Sequence, residues 1–202
     1  MNIAAVLLAA GASKRFGENN KLLSDLGGKP LIRRVAEAVV CSGVDVVVVT
    51  GCDRPQIEKA LEGLPLRFAH NLNWESGMGA SIAVGVNALG QQTQGAFVIP
   101  GDLPFLTSDL IKELTALFME SRGALITYPT TSSGEQRNPV LWPRRFLPSL
   151  AVLSGSSGAK QLLQNCADSQ KQAHVFDESA YLDVDAPADL EAARSRLNIA
   201  NL

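Results

Sequence analysis

The sequence has no block of like charge, no cysteine pattern and no long apolar run. It carries 18 Lys+Arg against 20 Asp+Glu over 202 residues, a net charge of -2. Nucleic acids and anionic membranes select for a basic face, so neither is expected as a partner. Cys41, Cys52 and Cys166 are isolated from one another, and no pair has metal-ligand spacing. Such a set predicts reduced thiols in a cytoplasmic protein, each filling the place of a small hydrophobe. No apolar segment approaches the roughly 20 residues that cross a bilayer. The opening run Ile3–Ala10 lacks a preceding basic segment and ends in glycine and charge, so it is not expected to be a secretion signal.

What remains is an ordinary globular composition, 46% apolar and 19% charged. The length predicts one domain over 1–202, since domains usually run to about 100–200 residues. Short β-branched apolar runs alternate with amphipathic segments. Strands are expected at Ile3–Ala9, Val44–Thr50, Leu66–Ala69, Ala96–Ile99, Ala124–Tyr128 and Val140–Trp142. Helices are expected at Pro30–Ser42, Arg54–Leu61, Ala80–Leu89, Ser108–Ser121, Gly158–Asn165 and Pro187–Leu197. This alternation implies an α/β three-layer sandwich with a mostly parallel, Rossmann-like central sheet. The Ser154–Gly158 stretch reads as a loop inside that domain. His70 and His174 read as structural, and Trp74 and Trp142 as candidates to line the cleft, with core packing the favoured alternative for Trp142.

The first candidate site lies where the first strand ends. Small residues at Leu8-Ala9-Ala10-Gly11 let backbone N–H groups approach a ligand, and successive amides in such a turn can hold an anion. Arg15 and Lys21 add positive charge, one as a bidentate fork and the other as a point charge. A Walker loop is excluded: five residues separate Gly11 from Gly17, and no GK[ST] follows. A dinucleotide fingerprint is excluded too, because only one glycine sits in the turn. The spacing alone leaves a solvated basic loop open.

Two acidic segments follow. Pro100-Gly101-Asp102-Leu103-Pro104 places Asp102 beyond the carboxyl end of an expected strand, where open α/β sheets bind ligands. A carboxylate there either holds Mg²⁺ together with phosphate oxygens or caps a turn. In Asp183-Val184-Asp185 the two carboxylates fall on one side if the piece is extended, and they repel unless a cation sits between them. Pro187 and Asp189 are ordinary helix-start residues. Between these lies Asn71-Leu72-Asn73-Trp74-Glu75-Ser76-Gly77-Met78-Gly79-Ala80-Ser81. Ser76 and the amides of Gly77–Ser81 suit an anion- or sugar-contacting turn, or a helix cap with Ser81 near the N-cap.

These segments together resemble a known family. LAAGxSxRxG with a following lysine is similar to the signature of the nucleotidyltransferases that activate sugars, methylerythritol phosphate and molybdopterin. Gly101-Asp102-x-Pro104 resembles their metal motif, and Asp183-Val184-Asp185-x-Pro187-x-Asp189-Leu190 their carboxyl-terminal motif. N-x-x-W-x-x-G-M-x-x-S resembles the loop of the molybdenum cofactor cytidylyltransferase branch. The resemblance implies the nucleotide-diphospho-sugar transferase type of fold. It implies nucleotide binding by Leu8, Ala9, Ala10, Gly11, Asn71, Ser76, Gly77, Ser81 and Gly101, with Mg²⁺ on Asp102 and Asp185. Arg15, Lys21 and Asp102 would carry catalysis, and Asp183 would lend support.

The implied reaction moves CMP from CTP to a phosphate-bearing acceptor, with molybdopterin favoured, and releases pyrophosphate. A sugar phosphate or a phospho-acid is the alternative acceptor. A non-catalytic accessory protein that carries the cofactor to a molybdenum apoenzyme is the rival of another class. The acceptor side departs from the branch pattern. Arg137-Asn138 stands where glycine and histidine are expected, and Ser156 where an acid is expected.

Overall fold

A computed structural model describes residues 1–17, 19–156, 158–174 and 178–200, with side chains for all of these except 174, 178 and 198–200. The sheet has seven strands: β1 (Ile3–Ala9), β2 (Asp45–Thr50), β3 (Arg67–His70), β4 (Gly95–Pro100), β5 (Ile126–Thr130), β6 (Val140–Pro143) and β7 (Gln170–His174). The helices are α1 (Leu31–Cys41), α2 (Arg54–Ala60), α3 (Met78–Asn87), α4 (Ser108–Glu120), α5 (Leu147–Leu150), α6 (Lys160–Gln164) and α7 (Pro187–Ala200). Strand order is β3-β2-β1-β4-β6-β5-β7. Only β6 runs against its neighbours β4 and β5.

The layering follows from alternation along β1, because successive side chains of a strand point to opposite faces. Ile3, Ala5, Leu7 and Ala9 enter one core with α1, α4 and α7. Val6 and Ala10 enter the other, with Ile82 and Val86 of α3, Leu150 of α5 and Leu163 of α6. Helices therefore cover both faces, and β1 sits deep enough to read as a continuous apolar run. α4 starts where a cap was expected: Thr107 Oγ1 accepts from Leu110 N at 3.2 Å. Among the described residues, no helix is long and apolar enough to cross a membrane.

Three expectations change. Helix α3 begins at Met78 rather than Ala80, so Ser81 lies inside its first turns instead of at the cap. Helix α5 and strand β7 have no counterpart in the sequence reading. Part of the Ser154–Gly158 stretch is a loop, but Ser157 lies outside the described residues. Trp142 is core, 1% exposed, as its structural reading requires. His70 ends β3 beside Thr50, and the His174 side chain lies outside the described residues.

α3 can lie this close to the sheet only because Gly85 has no side chain. A Cβ there would sit 2.2 Å from Val6 Cγ1 and 2.8 Å from Val49 Cγ2. Alanine is a better helix former than glycine by about 1 kcal/mol, yet Gly85→Ala is expected to destabilise by about 1–3 kcal/mol through overpacking. Urea unfolding measures this, and a variant as stable as the parent would refute the tight approach. Gly90→Ala, facing near-open space, is the control expected to stay close to the parent.

Candidate functional site

The carboxyl ends of β1 and β4 are stitched together. Gly101 N donates to Leu8 O at 3.0 Å. A Cβ on Gly101 would meet that same carbonyl at 2.6 Å, so no larger residue fits without displacing the strand end. Asp102 follows at once and is thereby aimed over the sheet edge. Its carbonyl accepts from Val184 N at 3.1 Å. Val184 is buried, 1% exposed, which anchors the segment between Asp183 and Asp185. Asp189 completes the placement, accepting from Asp185 N at 3.0 Å and Ala186 N at 2.7 Å. This is the half of a capping box in which an N3 side chain reaches back to the cap.

The cation that the two acidic segments demand is Lys21. Its Nζ donates to Asp102 Oδ2 at 2.7 Å and to Asp185 Oδ1 at 2.9 Å. Arg15 Nη1 reaches the other oxygen of Asp185 at 2.9 Å. The Lys21 side chain is only 14% exposed. Burial opposes its charge, but Asp102 and then Asp185 outweigh that, and the ammonium pKa lies above its ordinary 10.5. The Lys21 hydrogen bond, ahead of the charge of Arg15, holds the Asp185 carboxyl below the usual carboxylate range. Asp183 goes the other way, pushed up by burial and then by the nearby charge of Asp102.

The loop that delivers Lys21 is ordered by Asn20, which the sequence reading passed over. Asn20 is 6% exposed. Its Oδ1 accepts from Leu22 N at 3.0 Å and Ser13 Oγ at 3.1 Å. Its Nδ2 donates to Asp53 Oδ2 at 3.1 Å and Gly11 O at 3.4 Å. One buried amide thus closes the 11–21 loop on itself. An asparagine between polar neighbours carries no sequence signal for this role.

Two cavities meet at the Lys21–Asp102–Asp185 edge. The smaller, of about 390 Å³, is walled by Leu8, Ala10, Gly11, Gly77, Ser81 and Gly101, with Trp74 and Glu75 beside them. The larger, of about 930 Å³, takes in Lys14 and Arg15 and extends to Gln136, Arg137, Asn138, Tyr181 and Arg196. Most of the sequence-selected residues therefore converge. Three do not line either cavity. Ala9 is 0% exposed, in the core below the loop. Asn71 is 2% exposed, and its amide is spent internally, on Ser81 Oγ at 3.0 Å and Asn73 N at 2.9 Å. The Ser76 hydroxyl folds back on the Asn73 carbonyl. These two side chains brace the loop. Glu75, Lys14, Gln136, Tyr181 and Arg196 line the cavities although the sequence reading did not select them.

Asp102 and Asp185 already share one cation, so the donor set suits a small divalent ion completed by phosphate oxygens. Among the described residues, no cluster of three or more His, Cys, Asp or Glu offers a fuller cage. Backbone fit extends beyond the carboxylates. A Cβ on Gly77 would meet Gly155 O at 2.5 Å, and one on Gly79 would meet Ser154 O at 2.5 Å. Gly79 N also donates to Gly155 O at 2.9 Å.

The Lys21 bridge has a pH signature. Asp185 has its folded pKa below the ordinary 3.8, so its contribution is present above that value and is lost as pH falls through the folded value. Lys21 is raised, so its contribution is present below 10.5 and is lost as pH rises through the folded value. The stability gap between parent and Lys21→Met is therefore expected to be widest near neutrality and to close toward pH 3. At pH 7 the gap should be roughly 2–4 kcal/mol, the range for stripping one partner from a buried pair with allowance for the exposure of Asp185. Denaturant unfolding across pH reads it, and a gap that stays constant down to pH 3 would contradict the ion-pair origin.

The geometry has relatives. The MobA-like NTP transferase domain matches residues 5–174. A probable molybdenum cofactor guanylyltransferase of Natronomonas pharaonis is 32% identical over 202 residues, covering 96% of this chain and 97% of its own. Nicotine blue oxidoreductase of Paenarthrobacter nicotinovorans is 29% identical over 188 residues, covering 91% and 92%. Among solved structures, an Rv0371c homolog from Mycobacterium sp. strain JC1 superposes with a TM-score of 0.85 at 23% identity, covering 98% of each chain. The fold is the Rossmann-like sandwich of the nucleotide-diphospho-sugar transferases. With the glycine-rich loop, the paired acidic motifs and the matched domain in agreement, the chain belongs to the MobA-like NTP transferase family of nucleotidyltransferases.

Proposed function

We propose that this protein transfers a nucleoside monophosphate from its triphosphate to a phosphate-bearing acceptor of the molybdopterin type, acting as one domain. The observation that carries this reading is the Lys21 ammonium held between Asp102 and Asp185, with Arg15 on the outer oxygen. That is a charge-matched clamp at the meeting point of two cavities. The acceptor phosphate oxygen attacks the α-phosphorus, the bond from that phosphorus to the bridging oxygen breaks, and pyrophosphate leaves. The attacking group is already an anion, so no general base is needed. Lys21 and Arg15 swing their charge onto the triphosphate and stabilise the leaving pyrophosphate. The Leu8–Gly11 backbone and the first turn of α3, with Ser81, hold the nucleoside. Positioning and charge neutralisation supply most of the rate in such transfers. Mg²⁺, held by Asp102 and Asp185, would supply further neutralisation of the transferring phosphate.

Two bases compete as donor. The resemblance of the 71–81 loop to the cytidylyltransferase branch favours cytidine, whereas the Natronomonas relative is named a guanylyltransferase. Pyrophosphate release with each ribonucleoside triphosphate, Mg²⁺ and molybdopterin decides between them and tests the reaction itself. Release with CTP or GTP is expected. Release only with a sugar phosphate or a phospho-acid in place of molybdopterin would move the acceptor, and no release with any triphosphate and any of these acceptors would favour the rival reading, an accessory protein that carries the cofactor.

Two variants bear on the clamp. Lys21→Ala is expected to lower kcat about 10²–10³-fold, the usual loss for one preorganised charge-stabilising group. An unchanged kcat would remove Lys21 from the mechanism. Asp102→Ala is expected to abolish release, and survival of activity would end its assignment as the main metal ligand.

A further inference from the structure

The lysine that carries the proposed chemistry is placed from outside the cavities. Lys21 opens a short 3-10 turn, Lys21–Leu23, and Asn20 caps that turn by accepting from Leu22 N. The Asn20 amide is buried, and all four of its hydrogen-bonding places are filled. Leu22 N and Ser13 Oγ donate to its oxygen. Its NH₂ donates to the Gly11 carbonyl and the Asp53 carboxylate. Of these partners only Asp53 lies outside the 11–22 loop, and only Asp53 is charged. It stands between β2 and α2, 33 positions further along the chain, and lines neither cavity.

Asp53 is held for this contact in an uncommon backbone conformation. Among the described residues, three non-glycines have a left-handed backbone: Ser13 at φ 50°, Asp53 at φ 53° and Arg122 at φ 54°. Such conformations persist where the surroundings over-determine them. Two of the three hydrogen-bond to the same amide, that of Asn20. Asp53 also precedes α2, where an aspartate ordinarily caps the helix, yet its side chain makes no cap hydrogen bond. Its Oδ2 faces Asn20 instead, and also accepts from Cys52 Sγ at 3.4 Å. The backbone beneath is pinned. Cys52 N donates to Ala10 O at 3.1 Å, and a Cβ on Gly51 would meet that carbonyl at 2.8 Å. The end of β2 is thus fixed on the end of β1, and the carboxylate reaches from that base to the loop. A charged acceptor makes the stronger hydrogen bond, so Asp53 also orients the amide. The NH₂ is drawn to the carboxylate, and the oxygen is left for Leu22 N.

We propose that Asp53 is a positioning residue for the phosphate grip, a strut that acts through the Asn20 amide to hold the Lys21 ammonium where the triphosphate binds. The inference rests on the nucleotidyl-transfer reading and adds to it a residue that touches no substrate. A lysine is a point charge on a flexible stem. Its ammonium returns to one place only if the backbone that carries it is fixed, and a misplacement of about 1 Å can cost about 10²-fold in rate.

Calorimetric titration with inorganic tripolyphosphate and Mg²⁺ reads the grip without turnover. Asp53→Ala is expected to weaken binding at least about tenfold, the scale of one charge-assisted contact. In the Lys21→Ala background the same substitution should change binding less than about twofold, because the strut then has no ammonium to hold. A merely structural loss would appear in both backgrounds. Asn20→Asp sets two carboxylates face to face and should also weaken binding at least about tenfold. Adding Asp53→Asn to it should recover at least about threefold, although that substitution gives no gain alone. Only direct contact between the two side chains produces such a reversal. The kcat of pyrophosphate release is expected to follow the same pattern. Equal losses in the two backgrounds, an Asp53→Ala variant that binds like the parent, no recovery in the double variant, or a parent that does not bind tripolyphosphate would each overturn the proposal. Continued pyrophosphate release by the parent would then leave the transfer reading standing. The expected binding pattern in a protein that releases no pyrophosphate would support the strut and sink the transfer reading instead.

Discussion

Ionised carboxylates from distant parts of the chain repel when gathered at one point, and Lys21 supplies the cation that offsets this repulsion here. Asp102 arrives from the end of β4 and Asp185 from the segment before α7, and both end within hydrogen-bond reach of one ammonium. The rest of the site depends on that convergence. The Leu8–Gly101 stitch fixes one carboxylate, and the Asp102–Val184 hydrogen bond with the Asp189 cap fixes the other. Asn20 holds the loop that brings the lysine. A partly buried ion pair of this kind is weak evidence for stability, because desolvation offsets much of its attraction. It serves better as a poised charge. In the proposed reaction a triphosphate would offer Lys21 and Arg15 new anionic partners and free the carboxylates for a cation.

Much of this was readable in the residues. β1, β2 and β4 are buried on both faces, and such strands appear as unbroken apolar runs. The acidic motifs stood out because like charges on one face demand an explanation. β7 was invisible for the opposite reason. Its sequence QKQAH is polar, with Ala173 its one fully buried side chain among those described, and polar contacts such as Tyr128 Oη to Gln170 Oε1 at 2.6 Å help hold it. α5 spans four residues, too few for a helical period to show. The start of α3 was misplaced because Gly77 and Gly79 read as loop residues. They are there to let another backbone come close.

The site residues divide along a similar line. Charged groups at motif spacing were found, because few structural roles call for them there. Asn71 and Ser76 were assigned to the ligand through the motif that the loop resembles, and in the fold their polar atoms hold the loop together. Asn20 was missed because an amide can satisfy several partners at once without any pattern in its neighbours. Arg196 was missed because an arginine on a terminal helix is by default a solvated side chain. Only tertiary placement brings it to the cavity shared with Arg137.

The meeting of Gly77 and Gly79 with the Ser154–Ser156 backbone has a consequence for how this protein can diverge. Main chain packs on main chain there, with no side chain between to act as a cushion. One loop borders the smaller cavity, and the other belongs to a region where the chain departs from the pattern of the branch it resembles. A side chain at either glycine would collide with the opposite backbone, 2.5 Å away in each case. A larger residue at Gly77 or Gly79 therefore requires the Ser154–Ser156 backbone to shift with it, so these two segments act mechanically as one wall.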